Sequence, residues 1–246
     1  PISNILLYHV VGGTALSTDL NDGDAIATLL GPDVNVSIDM GTVMINGAEV
    51  VVADVLASNG VVHVIDAVLT PPTVVDIVVN SPVHETLEAA VIAAELAGTL
   101  SGDGPFTVFA PTDDAFAALP AGLVDALLAD PTGDLANILL YHVVGGTALS
   151  TDLNDGDAIA TLLGPDVNVS IDMGTVMING AEVVIADILA SNGVVHVIDA
   201  VLTPPTVVDI VVNSPVHETL EAAVIAAELA GTLSGDGPFT VFAPTD

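Results

Sequence analysis

The alternation of apolar and polar residues is clearest in the second half of the chain. Between Val167 and Met173 every second residue is apolar, a period of two that predicts a half-buried β-strand. Asn179-Gly180 predicts a tight hairpin turn leading into a strand over 181–186. The nearly continuous apolar run from Val194 to Leu202 is typical of a strand covered on both sides.

The preceding segment instead has helical spacing. A short helix is predicted over 73–79 and a longer one over 84–97, with one apolar face made of Val83, Leu87, Val91 and Ala94. A strand over 106–110, a capped helix start over 111–114, further short helices, a helix over 134–140 and a strand over 141–144 follow. Helices first and strands later, without regular alternation, favour the α+β class.

An almost perfect internal repeat organises the chain. Residues 137–246 copy residues 4–113 without insertion or deletion, and only Val52/Ile185 and Val55/Ile188 differ. Thr70-Pro71-Pro72 and Thr203-Pro204-Pro205 are the clearest boundaries, since paired prolines stiffen a joint. We therefore divide the chain into the back part of one unit (1–72), a complete unit (73–205) and the front part of the next (206–246).

The two partial units leave two arrangements open. Either the polypeptide continues as a longer tandem array, or front and back parts of different molecules complete one another. We favour continuation, because joining 206–246 to another copy's 1–72 omits most of 114–136, including the apolar Leu119, Leu123 and Leu127. Whether the sequence is natural, designed or an idealised repeat stays open.

The net charge of the chain excludes several classes of binding partner. The 246 residues contain 32 Asp and Glu, no Lys or Arg and no Cys, which gives a net charge of −32. Nucleic-acid binding is excluded because phosphates are neutralised by basic side chains, and anionic membrane surfaces should repel the chain. Without cysteine there are neither disulfides nor thiolate metal sites. No apolar stretch approaches the ~20 residues of a membrane helix, and no signal peptide is visible.

Three segments resemble a known family. The run from Gly104 to Phe116, which contains Phe106 and Phe109, is similar to the first signature motif of the fasciclin domain. Tyr141-His142 resembles the family's central Tyr-His pair, and the run from Gly193 to Leu202, with His196, resembles the second signature motif. The resemblance implies a wedge-shaped β-sandwich with helices at its edge, tandem domains, extracellular or cell-surface residence, and adhesion. The absence of basic residues departs from most members.

Nothing in the sequence indicates an enzyme. The complete unit has three histidines, His84, His142 and His196, with neither the Gly-x-Ser-x-Gly motif of hydrolases nor the i, i+4 histidine pair of zinc proteases. Strand alternation places His196 and Asp199 on opposite faces. We expect His142 and His196 to satisfy buried hydrogen bonds.

Carboxylates give one hint of ligand binding. Two acidic loops gather side-chain oxygens around a glycine, and calcium prefers six to eight oxygens. The candidate calcium ligands are Asp19, Asn21, Asp22, Asp24, Asp152, Asn154, Asp155 and Asp157. The alternative is a solvated turn between strands, since the spacing is not that of an EF-hand. Close packing of such acidic units would require cations, so assembly is expected to depend on calcium or salt.

The repeat and the family resemblance predict a structural protein. We expect a tandem-repeat fasciclin polymer that self-assembles with neighbouring identical repeats into an extracellular filament, fibre or adhesive stalk. Ile92 and Leu96, which fall among the acidic residues of their helix, are candidate contacts between units; the alternative is that they are simply two partly exposed aliphatic side chains. The alternative function is a ligand-binding adhesion module that recognises a glycan, a lipid or a cell-surface receptor.

Overall fold

The computed structural model describes residues 2–235 and 237–246. The helices in those residues are α1 Ile2–Tyr8, α2 Val74–Val79, α3 Glu85–Ala93, α4 Ala97–Leu100, α5 Asp113–Ala117, α6 Leu123–Ala129, α7 Asp134–Tyr141, α8 Val207–Val212, α9 Glu218–Ala226 and α10 Ala230–Leu233. The strands are β1 Ala25–Ala27, β2 Asp33–Asp39, β3 Thr42–Ile45, β4 Ala48–Ala57, β5 Gly60–Ile65, β6 Phe106–Pro111, β7 Val143–Gly145, β8 Ala158–Ala160, β9 Asp166–Asp172, β10 Thr175–Ile178, β11 Ala181–Ala190 and β12 Gly193–Ile198. Helices and strands thus coexist, as expected for the α+β class.

The first sheet belongs to the back part of a unit. Its five strands follow chain order, β1-β2-β3-β4-β5, and each neighbouring pair is antiparallel. A small buried cluster of Tyr8, Val34, Ala48 and Leu69 lies against it. Strand β5 stands at the edge of this sheet, so one side of its backbone has no strand partner within it.

The second sheet belongs to the complete unit and has seven strands in the order β7-β6-β12-β11-β10-β9-β8. Strands β6 and β12 pair in parallel, from Gly193 opposite Phe106 to Ile198 opposite Pro111. An isolated bridge between Val144 and Thr161 brings the two ends of the sheet together. The sheet therefore curls on itself, as in a sandwich that is nearly closed.

Two buried clusters fill the complete unit. One lies between the helices and the sheet and includes Val74, Leu87 and Val195; the other lies inside the curved sheet and includes Phe109 and Tyr141. The helices thus cover one edge of the sandwich while the sheet encloses the rest. The predicted architecture, an α+β sandwich with helices packed at its edge, is confirmed.

Local sequence signals account for several boundaries. Helix α2 begins with a capping box in which Thr73 and Asp76 satisfy each other's backbone N–H groups. The Thr112 hydroxyl accepts from the N–H of Ala115 at the start of α5. Asn179 and Gly180 both have positive φ, 49° and 85°, as a type I′ hairpin turn requires.

Four sequence predictions about local structure are wrong. The helix predicted over 84–97 ends at Ala93, because Glu95 adopts a left-handed φ of 56° that stops the helix before α4. Val83 precedes α3 and is exposed, so it is not on the buried face. Met173 is 98% exposed in the turn after β9, and Tyr141 ends helix α7 instead of starting a strand.

Candidate functional site

The central Tyr-His pair joins one helix to three other segments of the complete unit. Tyr141 is the last residue of α7, and its hydroxyl donates to the carbonyl oxygen of Asp166 at 2.9 Å and accepts from Asn179 Nδ2 at 2.8 Å. It thereby ties α7 to the start of β9 and to the β10–β11 turn. Burial raises the pKa of Tyr141, so its hydroxyl keeps its proton at neutral pH.

His142 fixes the end of the unit. Its Nδ1 lies 2.8 Å from the carbonyl oxygen of Ile138, and its Nε2 lies 2.9 Å from the backbone nitrogen of Leu202. A carbonyl only accepts and an N–H only donates, so Nδ1 carries the proton and the ring is neutral. Burial lowers the pKa of His142 to about 4. Because Leu202 directly precedes Thr203-Pro204-Pro205, this bond anchors the segment that leads to the next joint.

His196 lies in strand β12 and, like His142, bonds backbone groups through its ring nitrogens. Its Nε2 donates to the carbonyl oxygen of Ala148 at 2.8 Å, its Nδ1 accepts from the N–H of Asp187 at 3.2 Å, and its ring stacks on Phe109 with centroids 5.7 Å apart. Both nitrogens of this buried imidazole are therefore committed to backbone groups. Phe106, which belongs to the same signature motif as Phe109, is partly buried and packs against the cluster under the helices.

Ser150, Asp187 and His196 lie close together without forming a catalytic triad. Asp187 accepts from both the N–H of Ser150, at 2.8 Å, and the Ser150 hydroxyl. The serine proton thus points to the carboxylate, while the histidine nitrogens bond backbone groups, so the imidazole is not placed to take the hydroxyl proton as it does in a Ser-His-Asp triad. Burial would raise the pKa of Asp187, but the two hydrogen bonds from Ser150 and the neighbouring His196 together outweigh burial and lower that pKa.

The carboxylates of the acidic loop in the complete unit bond the protein's own backbone. Asp157 accepts from the N–H of Asn154 at 2.8 Å, and Asp155 accepts from the N–H of Ile171 at 2.9 Å. The Nδ2 group of Asn154 donates to the carbonyl oxygen of Asp152 at 3.2 Å. These contacts attach the loop to strand β9.

The acidic loop of the first part repeats these contacts. Asp24 accepts from Asn21, Asp22 accepts from the N–H of Ile38, and Asp19 accepts from the N–H of Leu16. Across residues 2–235 and 237–246, no three His, Cys, Asp or Glu residues form a group that could hold a metal ion. Seven of the eight candidate ligands thus use their side chains to hold these loops, whereas Asp152 contributes its backbone carbonyl oxygen.

Ile92 and Leu96, the candidate contacts between units, do not form one patch. Ile92 is 57% exposed on α3, whereas Leu96 is partly buried and packs against the core under the helices. The two residues separate because the chain turns at Glu95, between α3 and α4. Only Ile92 remains available at this surface.

The joint between the first part and the complete unit holds residues that sequence reasoning missed. Asn192, in the β11–β12 turn, accepts from the N–H of Val74 at 2.9 Å and donates to the carbonyl oxygens of Leu100 and Gly102 at 2.8 and 2.9 Å. Its neighbour Ser191 donates its N–H to the carbonyl oxygen of Pro72 at 2.7 Å. The Ser-Asn-Gly sequence signals a turn, but its spacing does not reveal partners so distant in the chain.

Comparison with known proteins decides the family. The fasciclin domain model matches residues 2–71 and 82–204, most of the chain. The chain belongs to the fasciclin domain family. In the part of this fasciclin chain that the structure describes, no helix is both long and apolar enough to cross a membrane.

Relatives match this fasciclin chain over different lengths. Protein sll1483 of Synechocystis is 48% identical over 134 residues, which cover 54% of this chain and 74% of that protein. Human periostin is 32% identical over 250 residues, which cover 99% of this chain but 30% of periostin. The cell surface glycolipoprotein MPB83 of Mycobacterium bovis is 39% identical over 131 residues, 51% of this chain and 58% of that protein.

A solved structure is also similar. It is a FAS1 domain pair from the insect cell adhesion molecule Fasciclin I, 23% identical, with a TM-score of 0.48, and the match covers 82% of this chain and 79% of that one.

Proposed function

We propose that this chain is part of a non-enzymatic extracellular structural protein in which fasciclin units are joined in series as a filament, fibre or adhesive stalk. Family membership and the similarity to a cell surface glycolipoprotein support an adhesive role outside the cell. The near-identity of the repeats supports a serial arrangement, because identical units give identical contacts at every joint.

The observation that carries the proposal is the bonding on both sides of the proline joint. Pro72 precedes Thr73 and accepts from Ser191, while Val74 follows it and donates to Asn192. Two adjacent residues of one turn thus hold the last residue of the joint and the second residue after it. Such a joint restricts the direction in which the next unit leaves, which suits a stiff string of units better than loosely linked beads.

The proposal also gives cations a role in assembly. Because the chain carries a net charge of −32 and no basic side chain, units that pack side by side repel one another unless cations screen them. We propose that salt or calcium supports assembly in this way, and the acidic loops at 19–24 and 152–157 each place three carboxylates within six residues.

Electron microscopy of the native material tests the proposal. We expect particles with a regular axial repeat matching one fasciclin unit, formed without any added partner. Dispersed particles without that repeat, combined with binding to an immobilised glycan, lipid or cell surface, would refute the structural role and favour a ligand-binding adhesion module. Loss of the repeat in Asn192→Ala, with the secondary structure retained by circular dichroism, would tie the repeat to the joint.

A further inference from the structure

A second contact between the first part and the complete unit lies away from the proline joint. Leu189 of β11 covers Gly31 in the β1–β2 loop of the first part: a Cβ added to Gly31 would lie 3.0 Å from Leu189 Cδ1. Leu30 and Leu189 also line one cleft between the two parts, with a volume of about 800 Å³. Among the described residues, no helix or strand of the first part packs along one of the complete unit. The relative orientation of the two parts therefore depends on a few local contacts.

The loop that contains Gly31 is preformed. Thr28 is buried, and its hydroxyl donates to the carbonyl oxygen of Pro32 at 2.8 Å, which closes the loop within its own part. Gly31 has a positive φ of 119°, which favours glycine. Its counterpart Gly164 has a φ of 120°, although a Cβ added there would meet nothing within 4 Å. The backbone of the loop thus has the same shape with or without Leu189 against it.

Leu189 is positioned by the sheet of the complete unit. It pairs with Val194 of β12, which is fully buried, and it lies two residues before Ser191, whose N–H donates to the carbonyl oxygen of Pro72. The Leu189 side chain nevertheless remains 39% exposed. The end of one strand therefore supplies both the apolar contact at Gly31 and the hydrogen bond at the joint.

We infer that the Gly31 loop is a docking surface for Leu189 of the following unit, and that this contact fixes the angle between consecutive units. The bond to Pro72 alone leaves rotation about the joint, whereas a second contact at a different point prevents that rotation. An apolar contact suits these units, because without Lys or Arg they have no basic side chain to pair with a carboxylate across the interface.

Each unit contains both halves of the contact. The Gly31 loop recurs at Gly164, and Leu189 has its counterpart in Leu56, so the same contact is available at every joint of a serial array. The inference deepens the proposed function, on which it rests for the serial joining of units. It names the partner of this surface, which is the neighbouring fasciclin unit of the same polypeptide.

The distance between two labelled turns tests the inference. Met40 and Met173 occupy corresponding turns of the two parts and are both 98% exposed, and the chain contains no cysteine. The double variant Met40→Cys/Met173→Cys therefore takes one spin label in each part. Pulsed double electron–electron resonance on this 246-residue chain should give a single narrow distance distribution. A broad distribution overturns the inference, because the two parts would then rotate freely about the joint.

Removal of the leucine side chain has a matched control. In the labelled chain, Leu189→Ser should widen the distance distribution about twofold or more, because domains joined by a small interface move relative to one another. Leu56→Ser makes the same change at the counterpart position, which is 77% exposed in this chain, and should leave the distribution unchanged. Far-ultraviolet circular dichroism checks that both variants retain the fold.

Substitution of the glycine has a control with the same backbone strain. Gly31→Leu places a side chain where Leu189 lies and should shift or widen the distribution. Gly164→Leu is strained in the same way, because both glycines have a φ near 120°, but it has open space for the new side chain and should not alter the distance.

Contrary results are equally definite. If Leu56→Ser widens the distribution as much as Leu189→Ser, or Gly164→Leu as much as Gly31→Leu, the angle does not depend on this contact and the inference is wrong. It is also wrong if neither Leu189→Ser nor Gly31→Leu changes the distribution. These outcomes are separate from the microscopy. An axial repeat with a broad distribution supports the proposed function alone, and a narrow distribution without an axial repeat supports the contact alone.

Discussion

Acidification should destabilise the complete unit through His142. In the folded state burial holds the pKa of His142 at about 4, against an ordinary value of 6.5. Below the unfolded-state pKa the unfolded chain binds a proton that the folded chain excludes, so stability falls as pH decreases through this window. Because the ring is fully buried, the effect is large. The free energy of unfolding should fall by about 2.5 kcal/mol between neutral pH and about pH 4.5.

A non-titrating variant isolates this contribution. His142→Gln keeps an amide donor and a carbonyl acceptor but carries no charge at any pH, so it should lower stability at neutral pH while losing much less on acidification. The parent also loses stability through His84, because burial lowers the pKa of that histidine as well. Comparing the pH slopes of parent and variant removes the His84 term, since both proteins contain it.

The assay is urea unfolding followed by far-ultraviolet circular dichroism at a series of pH values and constant ionic strength. We expect the free-energy difference between the two proteins to shrink by about 2.5 kcal/mol between neutral pH and about pH 4.5. If the free energies of unfolding of parent and variant depend on pH in the same way, His142 is not a neutral ring with both nitrogens hydrogen-bonded in the folded state.

Three other changes test the remaining contacts. Tyr141→Phe should cost about 1–3 kcal/mol, because it removes the two hydrogen bonds that the buried hydroxyl makes with Asp166 and Asn179; an unchanged urea midpoint would show that these bonds do not stabilise the fold. Asn192→Ala should cost about 2–4 kcal/mol through three lost bonds, whereas Ile92→Ser, at an exposed position, should stay within about 0.5 kcal/mol and serves as its control. Calcium should promote assembly more than sodium at equal ionic strength if the acidic loops bind it; equal effects would indicate screening alone.

Local chemistry explains which elements could be read from the sequence. The Asn179-Gly180 turn and the Thr73 capping box depend on backbone preferences and side chains a few residues apart, so both follow from the sequence. The end of α3 could not be read in this way. The apolar spacing continues to Ala94, but Glu95 adopts a left-handed conformation that lets Leu96 and Leu100 return to the core.

The functional contacts were less accessible to sequence reasoning. The signature residues Tyr141, His142 and His196 were found through their motifs, but their bonding partners lie on other segments and depend on the folded arrangement. Asn192 was missed altogether because its three partners are about ninety or more residues away along the chain.

The sequence by itself determined the repeat, the acidic character, the family and most of the helices and strands, because these depend on composition, identity and local periodicity. Only the tertiary structure decided the partners of the buried polar groups. His142 and Leu202 lie 60 residues apart, yet the histidine ring accepts from the backbone N–H of Leu202 at 2.9 Å. The physical reason is that such a contact depends on which strands and helices pack together, and local periodicity does not specify that packing.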